Sequence, residues 1–176
     1  MGRLTLNPLK HIDLFGTIIL PGLLLITGTG FIFGWAKPVP VDPRNFKNPL
    51  QDMAVVALAG PVSNILMALA WALVARLGVT IGAGTEAISH PLIYSGVAGI
   101  SINLVLALIN LLPIPPLDGS RILTGILPNY WAWQYNRLER FGFIILILLL
   151  YTKILNLILE YPLFFFQKVF FSIAGL

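Results

Sequence analysis

The chain has 176 residues, of which 57% are hydrophobic and 10% charged, and its mean hydropathy is +0.89. This composition excludes an ordinary soluble domain and is typical of an integral membrane protein. The sequence contains no cysteine, which excludes disulfides, thiolate metal sites and cysteine nucleophiles. The net charge of +4 comes from cations scattered between apolar runs, a pattern that favours membrane orientation over nucleic-acid binding. We predict one membrane-embedded, all-α domain over residues 1–176.

Four apolar segments have about the 20 residues that a membrane crossing needs. They cover approximately residues 14–35, 54–75, 92–112 and 141–159. The first contains Pro21 and several glycines, so it is either an interrupted crossing or a re-entrant segment. The C-terminal stretch after Pro162 is too short for another crossing and is predicted to be an interfacial aromatic helix. We therefore expect three or four membrane segments.

A proline-rich stretch separates the first two apolar segments. Prolines at positions 38, 40, 43 and 49 exclude a helix there. Alternating residues over positions 35–41 predict a short extended or hairpin segment near 36–44. An exposed extended edge beside a membrane site can bind a peptide by strand addition.

The distribution of cations predicts the orientation of the chain. If all four segments cross, six cations lie on one side and four on the other. If the first segment is re-entrant, the counts become eight against two, a clear positive-inside pattern. Both arrangements place the 36–53 and 113–140 loops in the cytoplasm. Lys153 is interpreted as an interfacial side chain that fixes orientation.

The stretch "NLLPIPPLDGSR" (110–121) places a single acid, Asp118, where the third apolar segment is broken. An acid at a helix centre in the membrane costs roughly 2.5 to 3.5 kcal/mol, so it needs a partner or a function. Asp118 is interpreted either as a metal ligand or proton carrier in a hydrated cavity, or as a helix cap paired with Arg121. Asn110 has an ordinary interpretation as an interhelical hydrogen-bonding residue.

Asn64 is a second polar residue in an apolar segment, "ALAGPVSNILMALAWALVA". Gly60 and Pro61 are predicted to open a helix there, and small residues allow another helix to approach. The only two imidazoles, His11 and His90, do not form a two-His helical pair, so we do not expect them to bind zinc.

Four ordered blocks together resemble the site-2 protease family of intramembrane zinc metallopeptidases, in its compact prokaryotic branch. The blocks are "GRLTLNPLKHIDLFGTIILP", "FGWAKPVPVDPRNFKNP", "ALAGPVSNILMAL" and "NLLPIPPLDGSR". The resemblance covers approximately residues 2–150. It implies that Asp118 is the third protein ligand of a catalytic zinc. It also implies that the active site is lined by the other residues matching the family's motifs, which are Asn64, Asn110, Pro113 and Gly119.

The family's HExxH motif, with two zinc-binding histidines and the catalytic glutamate, does not occur in this sequence. By resemblance it belongs upstream of "GRLTLNP", so we expect a chain that is N-terminally truncated relative to the family, with no catalytic residue present. A single acid cannot replace two imidazoles. We therefore expect the chain to be inactive alone and doubtful as a zinc binder.

The expected function is that of an intramembrane zinc metalloendopeptidase, acting in regulated intramembrane proteolysis. Its partners would be the bilayer of the cell membrane and a membrane-spanning protein substrate, cut near the cytoplasmic face. In the complete enzyme, zinc would polarise the scissile carbonyl with Asp118 as a ligand. The alternatives are a non-catalytic membrane-binding or regulatory homologue and a small transporter subunit with Asp118 in an ion path. The substrate and the oligomeric state cannot be predicted.

Overall fold

The computed structural model describes residues 5, 7–28, 34, 36–37, 39, 41–42, 45–82 and 85–176, without the side chains of residues 8 and 143. The chain forms two compact units, Met1–Asn45 and Phe46–Leu176. The single-domain organisation stays a prediction.

The first unit contains three short helical elements. They are a 3-10 helix Pro8–His11, a π-helix Leu14–Ile19 and helix α1, Leu20–Ile26. The Asp13 carboxylate begins the π-helix by accepting hydrogen bonds from the backbone N–H groups of Phe15 and Gly16, at 3.1 and 2.8 Å. Pro21 lies in the first turn of α1, where a missing N–H is tolerated.

The apolar helical run Leu14–Ile26 is shorter than a membrane crossing. Residues 29–33 lie outside the described part, so the choice between a crossing and a re-entrant segment stays a prediction. The predicted extended segment near 36–44 also falls partly on residues that the structure does not describe. Its described residues 36, 37, 39, 41 and 42 form no strand.

The second unit consists of six helices in its described residues. They are α2 (Pro49–Ile81), α3 (Glu86–Leu111), α4 (Asp118–Ile126), α5 (Asn129–Asn136), α6 (Glu139–Tyr151) and α7 (Ile154–Ala174). Helices α2, α3 and α7 are long and apolar enough to cross a membrane. This confirms the prediction of an all-α, multi-pass membrane protein.

Two predicted helix boundaries are wrong. The segment 141–159 is not one crossing, because Lys153 adopts a left-handed backbone conformation with φ +59° and separates α6 from α7. The C-terminal crossing is instead α7, which continues through Pro162. Similarly, Gly60 and Pro61 do not open a helix, since α2 begins at Pro49 and contains Pro61 in its interior. Proline inside a membrane helix is tolerated where neighbouring groups satisfy the freed backbone.

Small residues allow α2 and α3 to pack closely. A Cβ on Gly96 would lie 2.5 Å from Ala75 Cβ and 2.9 Å from Ala75 Cα. A Cβ on Gly99 would lie 2.2 Å from Trp71 Cγ. Association of membrane helices depends on such close packing, because lipid gives no hydrophobic driving force between them. The adjoining core also includes residues of α7: it consists of Ala68, Ala72, Ala75, Ile100, Leu104, Phe170 and Ala174.

Candidate metal-ligand site

The segment between α3 and α4, residues 112–117, is a compact turn held by surrounding residues. The Tyr135 hydroxyl of α5 donates a hydrogen bond to the Pro113 carbonyl. Gly142 of α6 packs so closely on the Pro115 carbonyl that a Cβ would lie 2.2 Å from its oxygen. Gly119 packs in the same way against the Leu111 carbonyl, at 2.3 Å. The helical break is thus a fixed part of the fold.

Asp118 is the first residue of α4 and lies against the backbone of α2. A Cβ on Gly60 would be only 2.7 Å from the Asp118 Oδ2 atom. No residue other than glycine fits at position 60 without displacing this carboxylate. Gly60 therefore allows the acid to contact the side of a membrane helix.

Asp118 does not occupy the cap position that one interpretation of the sequence gave it. Leu117 is the N-cap of α4, and no side chain caps this helix. Arg121 lies 4.0 Å from the Glu139 carboxylate and 3.4 Å from Met53 Sδ. Among the residues that the structure describes, the Asp118 carboxylate has no hydrogen-bond or ion-pair partner.

Desolvation by partial burial raises the pKa of Asp118, and the positive charge of Arg121 opposes that shift in part. The negative form of the carboxylate is therefore disfavoured when it is alone. Binding of a proton or of a cation would offset the free-energy cost of burying the negative charge. The environment of Asp118 is consistent with either of the chemical roles that the sequence suggested for it.

The length of α2 bears on the depth at which Asp118 would lie in a membrane. The part of α2 from Gly60 to Ile81 is about 32 Å long, close to the thickness of the hydrocarbon core of a bilayer. The preceding part of α2 packs against α4, where a Cβ on Gly125 would lie 2.4 Å from Ala54 Cβ. If Ile81 marks the opposite boundary, the α2–α4 contact beyond Gly60 extends into the interfacial region and Asp118 faces the membrane boundary.

The other predicted site residues lie around the same turn. Asn64 is half-buried and lies one helical turn after Gly60, on the same face of α2. Asn110 is half-buried in the last turn of α3. Pro113 and Gly119 belong to the fixed turn itself. The fold therefore groups these residues near Asp118, and their roles in lining an active site stay predictions.

Neither histidine belongs to a group of potential metal ligands among the described residues. His90 lies in the first turns of α3, about 30 Å along the helix axis from Leu111 at its other end. Its ring is tilted by 56° to that of Tyr94, with the two ring centres 5.9 Å apart. His11 lies in the first unit, with its Nε2 atom 2.9 Å from the Thr5 carbonyl oxygen. Among the described residues there is no group of three or more His, Cys, Asp or Glu that could hold a metal ion.

The described residues fit one ligand position of a zinc site and not the whole site. Asp118 provides an oxygen donor of the right kind, half-buried and without a protein partner. Catalytic zinc has three protein ligands as a rule, so two more must come from elsewhere. Such ligands are absent from the part of the second unit that surrounds Asp118.

Sequence reasoning missed three residues that position the site, namely Gly60, Tyr135 and Gly142. Gly60 carried a signal, since a Gly-Pro pair inside a long apolar run marks a place where another group approaches the backbone. Tyr135 and Gly142 carried none, because their partners are backbone carbonyls 22 or more residues away.

Comparisons with known proteins identify the family. The model of "Peptidase family M50" matches residues 78–152, which include the turn and Asp118. Three relatives have names that begin with "Putative zinc metalloprotease". YwhC of Bacillus subtilis is 42% identical over 87% of this chain and 67% of its own length. Rip2 of Mycolicibacterium smegmatis is 34% identical over 99% of this chain and 62% of its own length. MJ0611 of Methanocaldococcus jannaschii is 30% identical over 70% of this chain and 60% of its own length.

The chain thus spans between three fifths and about two thirds of the length of these relatives. No solved structure matches it. The matched region covers the membrane helix α3, the turn that follows it and Asp118 at the start of α4. The family resemblance predicted from the four sequence blocks is confirmed, and the chain belongs to peptidase family M50, the site-2 protease family of membrane metalloproteases.

Proposed function

We propose that this chain supplies one metal-ligand position and part of the substrate-binding wall of an intramembrane zinc metalloprotease. The observation that carries the proposal is the Asp118 carboxylate, which lies half-buried against Gly60 without a protein partner. In a soluble domain such an acid would be solvated, whereas here it follows a membrane helix. The activity, substrates and partners of the whole protein are all part of this proposal.

Asp118 would hold the zinc together with two histidines of an HExxH helix that these 176 residues do not contain. When bound, zinc acts as a Lewis acid on the scissile carbonyl of a peptide. The residues of this chain would hold the Asp118 carboxylate in the position of a metal ligand. Gly60 leaves room for the acid, and the turn fixed by Tyr135 and Gly142 prevents it from moving away from α2.

Asn64 is the residue best placed to bind a substrate segment. Its side chain has no hydrogen-bond partner within the described residues, and it shares a helical face with Gly60. A substrate helix must unwind before its peptide bond can be cut, and its freed N–H and C=O groups then need partners inside the membrane. The amide of Asn64 can donate to one such group and accept from another.

The proposed orientation places Asp118 at the cytoplasmic side of the membrane. If α2, α3 and α7 cross, the residues before α2 and those between α3 and α7 lie on one side. In the second unit that side holds five cations, which are Lys47, Arg121, Arg137, Arg140 and Lys153. Near the opposite ends of the crossings lie two cations, Arg76 and Lys168. This bias is what the positive-inside rule expects.

The test uses this chain with an HExxH-bearing segment of a relative fused before Gly2, in proteoliposomes with a model membrane-spanning substrate. The wild type should cleave the substrate in a zinc-dependent way, and Asp118→Ala should lose at least 100-fold in rate, as expected when a metal ligand is removed. Asn64→Ala should retain zinc and lose turnover. Equal cleavage by the wild type and Asp118→Ala would contradict the proposal.

A second candidate is a non-catalytic membrane homologue that binds substrate helices without cutting them. It is favoured by one observation, the absence of a three-ligand group in the described part of the chain. The two candidates predict different results for the fusion that carries an HExxH segment before Gly2. A non-catalytic homologue would bind the model substrate, and the Asp118→Ala variant would bind it equally well, with no cleavage in either case.

A further inference from the structure

The junction between α5 and α6 carries two arginines that face a surface groove. The groove has a volume of about 430 Å³ and is lined by Asn136, Arg137, Glu139 and Arg140. Each guanidinium lies over an aromatic ring: Arg137 is 5.2 Å from the centre of Trp133, and Arg140 is 4.6 Å from that of Phe141. A guanidinium stacked on a ring still has N–H donors free at its edge, and its position is restricted.

Among the described residues, the one acid that lines this groove forms no ion pair with either of its two arginines. Glu139 lies 4.0 Å from Arg121, which is outside the groove. Neither Arg137 nor Arg140 has an ion-pair partner in the described residues. The groove therefore presents two cations to an incoming anion, and its one carboxylate is directed towards another arginine.

The surfaces next to the groove are apolar and exposed, in a pattern that fits lipid. On one side, α5 exposes Tyr130, Trp131 and Trp133, each by 60% or more. Tyr and Trp with this exposure are typical of the headgroup level of a membrane. On the other side, α6 exposes aliphatic residues along its length, including Ile144 at 63% and Leu148 at 58%. At 13 residues α6 is too short to cross the bilayer.

The groove adjoins the turn that carries Asp118. Gly142 of α6 contacts the Pro115 carbonyl, in the turn that carries Asp118. That turn lies about 32 Å along α2 from Ile81, which is the far boundary of the proposed crossing. If α2 crosses between Gly60 and Ile81, the cations of the groove lie at the interface, and the aliphatic face of α6 starts from the same level.

We propose that this groove binds one anionic phospholipid, with its phosphate between Arg137 and Arg140 and an acyl chain along the exposed face of α6. Charge complementarity selects an anionic headgroup, because two unpaired guanidinium groups attract a phosphodiester more strongly when no choline cation accompanies it. The aromatic rings under the guanidinium groups hold them at the headgroup level. The site lies outside the Asp118 turn and does not depend on the proposed protease function.

The test uses the full chain in nanodiscs that contain phosphatidylcholine and a small fraction of phosphatidylglycerol brominated near the headgroup. Bromine quenches tryptophan fluorescence on contact, and Trp133 is part of the site. The wild type should be quenched at a lower fraction of brominated phosphatidylglycerol than of brominated phosphatidylcholine. Arg137→Gln and Arg140→Gln should each raise the half-quenching fraction of phosphatidylglycerol about fivefold, since each cation near an anionic surface contributes on the order of 1 kcal/mol.

The matched control is Lys153→Gln, which removes one exposed cation on the same side of the protein but outside the groove. It should leave the preference unchanged. Two further variants keep the test decisive if a glutamine variant fails to fold. Glu139→Gln should increase the preference for phosphatidylglycerol, and the Arg137→Lys, Arg140→Lys double variant should keep most of it. Equal quenching by the two lipids in the wild type, or an equal loss in Lys153→Gln, would overturn the proposal.

Discussion

Glycine permits close approach in two regions of this protein, but the groups that approach it differ. Between α2 and α3, Gly96 and Gly99 face apolar atoms of Ala75 and Trp71. Around the turn, Gly60 faces a carboxylate oxygen, and Gly119 and Gly142 face carbonyl oxygens. In the first region close approach gives packing and stability. In the second it places a carboxylate and two carbonyls where side chains would otherwise exclude them, and one of these groups is the proposed metal ligand.

The comparison predicts that substitutions in the α2–α3 contact mainly change stability. Gly96→Val places its Cβ against the Ala75 backbone, which cannot move without separating the helices. Overpacking of this kind should lower the free energy of unfolding by about 3 kcal/mol. The measurement is unfolding in mixed detergent micelles titrated with SDS. Ala98→Val, at an exposed position on the same helix, should change it by less than about 0.5 kcal/mol. Equal effects of the two variants would contradict the packing account.

Around the turn the comparison predicts an effect on metal binding. Gly60→Ala would place a methyl group 2.7 Å from Asp118 Oδ2 and displace the carboxylate. In this chain with an HExxH-bearing segment fused before Gly2, zinc affinity should fall about tenfold, as when a group that orients a ligand is lost. Competition with a chelator measures the affinity. Gly125→Ala, which strains the α2–α4 contact at Ala54, should lower stability with a smaller change in affinity. The reverse order would refute a positioning role for Gly60.

The hydrogen bond from Tyr135 to the Pro113 carbonyl should make a modest contribution to the turn. Tyr135→Phe removes the donor and leaves a carbonyl unsatisfied, which should cost about 1 kcal/mol of unfolding free energy. Tyr130→Phe is the control, since the Tyr130 hydroxyl accepts a hydrogen bond from Gln134 at an exposed position. SDS titration of both variants gives the comparison. A larger loss for Tyr130→Phe would show that the turn does not depend on Tyr135.

The smallest predicted effect is a dependence of stability on pH in the metal-free protein. The folded-state pKa of Asp118 is raised above its ordinary value of 3.8. Folding therefore favours the protonated acid, and this contribution is full below pH 3.8 and is lost as the pH rises through the folded-state pKa. As the pH rises through the folded-state pKa, the wild type should therefore lose stability relative to Asp118→Asn. Arg121→Gln, which removes the opposing charge, should move the change to higher pH. A gain in the stability of wild type relative to Asp118→Asn over the same pH range would contradict this prediction.

Much of the fold could be predicted because membrane helices are defined by long apolar runs. The runs at 54–75 and 92–112 correspond to α2 and α3, and the break at Asp118 was located from its prolines. The last crossing was misplaced because hydropathy continues across residues 141–159. Only the left-handed backbone of Lys153 ends α6 there, and a lysine gives no local signal for that conformation.

For the candidate site, the sequence predicted the types of residue that take part but not the contacts between them. Asp118 stood out because an isolated acid beside an apolar segment requires an explanation. Its contact with Gly60 could not be predicted, because it depends on which face of α2 receives α4. The carbonyl contacts of Gly119 and Gly142 likewise join groups whose proximity depends on tertiary packing.

The central claim is that Asp118 occupies a zinc-ligand position. The most direct measurement is the zinc content of the purified fusion of this chain with an HExxH-bearing segment before Gly2, determined by mass spectrometry of the metal alongside thermal stability. The wild type should contain about one zinc per chain after mild chelation, and Asp118→Ala should contain far less while remaining folded, because two imidazoles alone leave the site incomplete. Full zinc occupancy in folded Asp118→Ala would contradict the claim.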